Sequence, residues 1–373
     1  MAIRFFYIAL TRSAARRLAF RRFPAAMLAI AAGLAPLPRR AVAQQNAERL
    51  FYYVDREDSY NSLVAHIDRI TVVAPQVYTV DSLGTVFGAL DPRVLDLARK
   101  HGVKVMPLVV DEGFNQPELR RLLADTVARA RAAATLAQLC HDNGYWGIQF
   151  DIENVNMQDR DRFTAWYGET ASALHAVGCK LSIAVVHRIQ DYAGATAYDR
   201  FLYENWRAGY DLAALGRIGD FVSLMSYDQQ TRRTPPGPIA GLPWIRANVD
   251  YFLRFIPAAK LSVGVPLWGE RWYTRADPTI PEQARSWSES VSWAWGSGLA
   301  ERYGAPIRWD STQAVPYAYY TNGGVFEWLF LNDVRSFRAQ MALMREKHLR
   351  GFSAWVLGPE DPRIWDELPP ERR

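Results

Sequence analysis

Gln149, Asp151 and Glu153 occupy alternate positions of residues 147–155, with Ile148, Phe150 and Ile152 between them. That alternation marks a β-strand with one apolar and one polar face. A strand rises ~3.3 Å per residue, so side chains two apart leave the same face with bases ~6.5 Å apart. Asp151 and Glu153 thus place a carboxylate beside a carboxylic acid, the equipment of general acid–base chemistry. A surface strand gives the same pattern with its polar side simply wet. In a parallel barrel the polar face instead points inward, where ionisable groups are costly unless they work. Glu153 then sits at the C-terminal rim, where such barrels carry their chemistry.

The rest of the chain supplies elements for such a barrel. Strands are expected over residues 50–54, 69–74, 103–110, 147–155, 180–186, 221–227, 260–266 and 351–356. Helices are expected over 59–66, 92–100, 117–142, 160–176, 212–216, 244–255, 332–348 and 362–368, with Asp91 and Pro92 as cap and first turn. Residues 187–210 are polar and aromatic with no clear period and read as a long loop over the barrel mouth. Residues 268–330 break into short runs, and Asn322, Gly323 and Gly324 signal a hairpin, which suggests a small α+β insertion after strand seven. The fold class is α/β, a (β/α)8 TIM barrel carrying that insertion. A doubly wound open sheet is the alternative, but no Gly-rich phosphate loop follows the first strand.

Residues 1–43 hold eight arginines and no acidic residue, with an apolar run at 25–34. They read as an export signal cleaved after Ala43, where Ala41 and Ala43 give the small-x-small pattern. A membrane anchor is the competing reading, but the run is far too short to span a bilayer. Arg16 and Arg17 match the twin-arginine route weakly. Without this leader the net charge changes from +5 to −3, so nothing favours nucleic acid as a partner. The remaining 330 residues, 44–373, suit one barrel with an insertion. Cys140 and Cys179 each fall just before an expected strand; a bridge across the barrel floor and two buried free thiols are both open. Trp268, Trp272, Trp287, Trp293, Trp295 and Trp309 crowd one stretch. Core packing is the bland explanation, although Trp faces also stack on sugar rings and six are hard to bury in a loop-rich segment.

Several stretches together resemble glycoside hydrolase family 18, the chitinase-like family. Residues 146–153 match its D-G-x-D-x-D-x-E signature at Gly147, Asp151 and Glu153. Met225, Tyr227 and Asp228 match M-x-Y-D on strand six, Gly264 and Pro266 match G-x-P on strand seven, and strand eight ends in Trp355. The Glu-Asn-Val exit of strand four and residues 357–365 look more like the spore-cortex-lytic and cell-wall branch. Trp146 and Gln149 depart from the signature at its first two acids. Gln149 can still donate an amide hydrogen bond to Asp151 and favour its ionised form.

The resemblance implies a retaining hydrolase of β-1,4-linked N-acetylglucosamine polysaccharide, of chitin or peptidoglycan type. The substrate's own 2-acetamido group is the nucleophile, since family 18 is an exception to the two-carboxylate scheme. Glu153 is then the acid/base, Asp151 orients the acetamido N–H, and Tyr227 binds its carbonyl. Gln149, Met225, Asp228, Trp268 and Trp355 are the expected substrate contacts, Asp228 alternatively holding Tyr227 in place. Without the resemblance, Tyr227 and Trp355 read as barrel core. No metal or cofactor is expected, and a monomer is. A non-cleaving sugar-binding protein of the same fold is the alternative, and the presence of Glu153 removes its strongest support. A structural protein using the tryptophans as a partner surface is a third.

Overall fold

The computed structural model describes residues 47–231, 234–276 and 284–371. The expected leader, residues 1–43, and the expected cleavage position after Ala43 lie outside the described residues. The barrel strands are Glu48–Tyr53, Val72–Val80, Leu108–Asp111, Gly147–Phe150, Lys180–Val186, Phe221–Met225, Leu261–Pro266 and Gly351–Trp355. All neighbours pair in parallel, and the first strand pairs with both the second and the eighth, so the sheet closes. The fold is therefore a (β/α)8 barrel.

The outward faces of the strands, including Phe51, Val73, Ile148, Phe150 and Ile183, join the helices in one large apolar core. Inside, Leu50, Tyr52, Ala74, Met106, Leu108 and Phe221 form a second cluster. Gly147 is required where strands four and five meet, because a Cβ there would lie 2.4 Å from the Lys180 carbonyl oxygen and 2.6 Å from Met106 Cε.

Six expected elements differ from the structure, the second strand running on from residue 74 to Val80. Strand four stops at Phe150 instead of reaching residue 155, although Ile152 stays fully buried; the chain turns at Asn154, whose φ is +56°. The third strand is split into Lys104–Val105 and Leu108–Asp111 around Pro107, which has no N–H to give to a ladder. The helix expected over 117–142 is two, Gln116–Ala124 and Thr126–Asp142. Asp125 accepts from the Val127 and Ala128 amides and starts a new N-terminus there. The closing helix is a 3₁₀ segment, Pro362–Glu367. Residues 187–210 are not all loop: Thr196 and Asp199 form a capping box on the helix Ala197–Leu202, which runs into a π-helical turn, Tyr203–Arg207. Neither buries a residue fully, so there was no apolar period to read.

The insertion is an antiparallel five-stranded sheet, Gly269–Ala276, Ala284–Val291, Arg308–Asp310, Val315–Asn322 and Val325–Phe330, with the helix Trp293–Arg302. The hairpin turns on Gly323 and Gly324, both at positive φ (56° and 81°), as a two-residue loop with right-handed strand twist requires. Its tryptophans divide: Trp272 is fully buried and Trp295 is 43% exposed. Of the two readings of the cysteines, the structure contains the bridge Cys140–Cys179, which ties the end of one helix to the segment just before strand five.

Candidate active site

A cavity of about 890 Å³ opens at the C-terminal ends of the strands. Asp151, Glu153, Met225, Tyr227, Asp228, Trp268 and Trp355 all line it, so seven of the eight expected site residues meet there. The backbone carrying the acid pair is fixed on three sides. The Asp151 amide donates to the Val109 carbonyl (2.9 Å), the Tyr210 hydroxyl donates to the Ile152 carbonyl (2.8 Å), and the Glu153 amide donates to Asp111 Oδ1 (3.3 Å). Tyr227 follows strand six, where the Ser226 hydroxyl donates to the Gly264 carbonyl (2.8 Å). A Cβ at position 264 would strike the Leu224 carbonyl oxygen at 2.4 Å, which accounts for the glycine of G-x-P. Asp228 holds φ at +62°, a left-handed conformation at the cavity wall. The Tyr227 ring meets Trp268 edge-on at 5.4 Å, and Trp355 packs on Tyr52 at 5.2 Å.

Gln149 is corrected in two respects. It is fully buried and, unlike the other seven, is not among the residues that line the cavity. Its amide donates to the hydroxyls of Ser182 (2.7 Å) and Ser223 (3.2 Å), not to Asp151; Ser223 in turn bonds Ser353 (2.8 Å). The amide that reaches Asp151 is that of Gln76, at 3.5 Å from Oδ2, while Oδ1 is buried without a partner.

With this geometry in hand, the family model for glycosyl hydrolases family 18 matches residues 49–360. The chain belongs to that family. It is 28% identical over 257 residues to a cortical fragment-lytic enzyme of Bacillus subtilis, covering 68% of this chain and 56% of the relative. The chain thus spans about half that relative's length, and 54% of a Bacillus subtilis protein named for a sporulation-specific glycosylase. Among solved structures it resembles a chitinase from Chromobacterium violaceum (TM-score 0.76, 27% identity, 86% of this chain and 98% of that one). The Bacillus cereus spore cortex-lytic enzyme SleL shares the fold (TM-score 0.77, 23% identity, 86% and 73%).

Electrostatically, this family 18 site is a cluster of acids kept from full ionisation. Burial pushes Asp151 up to about 7, opposed by the weak Gln76 bond and reinforced by Asp111. Burial likewise raises Glu153 well above the usual carboxyl range, with the charges of Asp151, Asp228 and Asp111 adding to it. Asp111, 3% exposed, is pushed up to about 6 by burial against the pull of backbone amides. Enclosure raises Asp228 as well. The upward shift of Glu153 favours the protonated form that a proton donor needs.

Four further residues belong to the site that the sequence reading did not name. Asp111 ends strand three at the same rim as Glu153, a position that would have marked it. Gln76 and Tyr210 carry no pattern that finds them. Glu270, the second residue of the insertion sheet, lines the cavity and accepts from the Ser290 hydroxyl (2.9 Å). It adds a carboxyl group to a cavity in which the motifs alone put none beyond Asp151, Glu153 and Asp228. Its Oε2 is buried without a partner, and burial raises its pKa.

Proposed function

We propose that this protein is an exported glycoside hydrolase that cleaves β-1,4-linked N-acetylglucosamine polysaccharide with retention, the substrate's acetamido group serving as nucleophile. The observation that carries this reading is the placement of Asp151 and Glu153 side by side at the end of one strand, on the floor of one cavity. A carboxylate beside the acid is poorly placed to attack the opposite face of the same sugar, as an ordinary retaining enzyme requires.

Glu153 donates its proton to the glycosidic oxygen as the bond from that oxygen to the anomeric carbon breaks. The acetamido carbonyl oxygen closes on the anomeric carbon, while Asp151 accepts from the acetamido N–H and offsets the positive charge of the ring so formed. The Tyr227 hydroxyl orients that carbonyl. The Glu153 carboxylate then takes a proton from water, which attacks the anomeric carbon and restores the acetamido group with net retention. Among the described residues two cavity acids lie outside the motifs, Asp199, which is engaged in the Thr196 capping box, and Glu270, which competes for the role of nucleophile. Its raised pKa disfavours the ionised form that attack needs.

Export is supported by the arginine-rich leader and by the Cys140–Cys179 bridge, which persists in oxidising compartments. Among the described residues no helix is long and apolar enough to cross a membrane. The decisive assay compares N-acetylglucosamine, glucosamine and glucose oligomers of equal length. Only the first should turn over, and a thiazoline analogue of the cyclised intermediate should inhibit. Comparable cleavage of glucose oligomers would move the nucleophile to a protein carboxylate, with Glu270 the first to replace.

A further inference from the structure

We propose that Arg207 forms a carboxylate-binding subsite in the cavity wall, so that the preferred substrate is an acetamido glycan carrying an acidic substituent. This rests on the cavity being a glycosidase site, and it narrows the substrate class.

Arg207 closes the π-helical turn Tyr203–Arg207 and lines the cavity together with Tyr198, Leu202 and Trp206 from the same segment. π-turns are rare and gather at functional sites. The guanidinium has one polar partner among the described residues, the His187 imidazole, with Nη2 donating to Nε2 at 3.0 Å. That contact brings no negative charge. His187 is held neutral, its pKa pushed down to about 3 by burial and by the charge of Arg207 itself. Asp199 is near enough to favour the charged arginine, but its Oδ2 is engaged by the amide (3.1 Å) and hydroxyl (2.7 Å) of Thr196 in the capping box. Arg56, the other described arginine on the cavity, is paired with Asp58 at 3.0 Å.

Arg207 is thus a partly desolvated cation on the cavity wall, with no carboxylate within 4 Å among the described residues and its one side-chain bond going to a neutral imidazole. Such a charge is expensive unless an anion completes it, and a guanidinium takes a carboxylate through two parallel hydrogen bonds. A neutral glycan offers only hydroxyl and amide groups. Two acetamido glycans supply the carboxylate: one with a lactyl ether on the neighbouring sugar, as in peptidoglycan, and one with a neighbouring uronic acid. Trp206, the preceding residue, also lines the cavity and supplies an aromatic surface for the acidic sugar.

The test begins with the substrate, so no variant has to fold for it. Wild-type kcat/KM is measured on alternating N-acetylglucosamine–N-acetylmuramic acid oligomers, before and after reduction of the lactyl carboxyl to an alcohol, and on hyaluronan oligomers. Reduction should lower kcat/KM roughly 10- to 100-fold, the scale of a charge-assisted hydrogen-bonded pair. Cleavage of the muramic series alone assigns the lactyl source, and cleavage of hyaluronan the uronic one.

In Arg207→Met the ratio between acidic and reduced glycan should collapse towards one, with Arg207→Lys intermediate because it keeps the charge without the fork. Equal losses on both glycans would make Arg207 a mere prop for His187 and overturn the proposal, as would a wild type indifferent to reduction. If the wild type cleaved no acetamido glycan, the hydrolase reading would fall instead. Calorimetric titration of Glu153→Gln with the acidic and reduced glycans would then still decide the carboxylate preference.

Discussion

Replacing Asp111 by Asn removes a charge from the acid cluster while keeping the oxygen that accepts from the Glu153 amide. Asp111 raises both Asp151 and Glu153 electrostatically, so its neutralisation should let both ionise more easily. At an effective dielectric of ~20, charges about 6 to 8 Å apart interact by ~2 to 3 kcal/mol, or ~1.5 to 2 pKa units. Burial pushes Asp111 up to about 6, so it should exert this effect above that pH and little below it. The basic limb of the kcat/KM profile, where Glu153 loses the proton it must donate, should therefore slide to lower pH by about 1 to 2 units. The acid limb, set by Asp151 at about 7 where Asp111 is largely ionised, should move in the same direction. The assay is a pH–rate series from 3.5 to 9 on a chromogenic N-acetylglucosamine oligomer. A folded variant with both limbs in place and an unchanged rate would refute electrostatic coupling. A uniform loss without displacement would reduce Asp111 to an anchor for the Glu153 backbone.

Other outcomes follow from the same site. Glu153→Gln should keep the fold and the affinity for substrate while turnover falls ~10²–10⁴-fold, because shape survives and the proton donor does not; near-normal turnover in a folded variant would remove Glu153 from its role. Asp151→Asn should lose activity yet gain stability above neutral pH. A buried acid with a raised pKa stabilises the fold fully below its unfolded value near 3.8 and loses that contribution as pH rises towards about 7. Urea unfolding at pH 4 and pH 8 should show the two proteins alike at the lower pH and the variant ahead by up to about 4 kcal/mol at the higher. A gap of the opposite sign, or one independent of pH, would mean that Asp151 is not a strained charge.

How much of this was legible depends on whether a signal is local. The Asp151–Glu153 pair was readable because both faces of one strand state themselves in consecutive residues, and Ile148, Phe150 and Ile152 are indeed fully buried opposite. The barrel was readable because each strand repeats as an apolar run bounded by turn residues. The Ala197–Leu202 helix was missed because a helix lying over a cavity buries no full face, and the breaks in strand three and in the 117–142 helix come from single residues, Pro107 and Asp125, that act against an otherwise continuous pattern.

The fate of Gln149 shows the limit of reading one strand at a time. Its position in the motif suggested that it would serve Asp151, and alternation does put both on one face. In the closed barrel, however, strands five and six bring Ser182 and Ser223 to within hydrogen-bond reach of its amide, and two hydroxyl acceptors hold that amide in the barrel interior. The neighbour that acts on the acid pair arrives from strand three. Asp111 lies 42 positions before Glu153 in the chain, yet it holds the Glu153 amide and adds its charge to both acids. Where the signature lacks its second acid on strand four, the adjacent strand supplies a buried carboxyl at the rim. The proton-sharing that a D-x-D pair would provide along one strand is therefore to be sought across two, between Asp111 and Asp151, and the displacement of the basic limb in Asp111→Asn measures it.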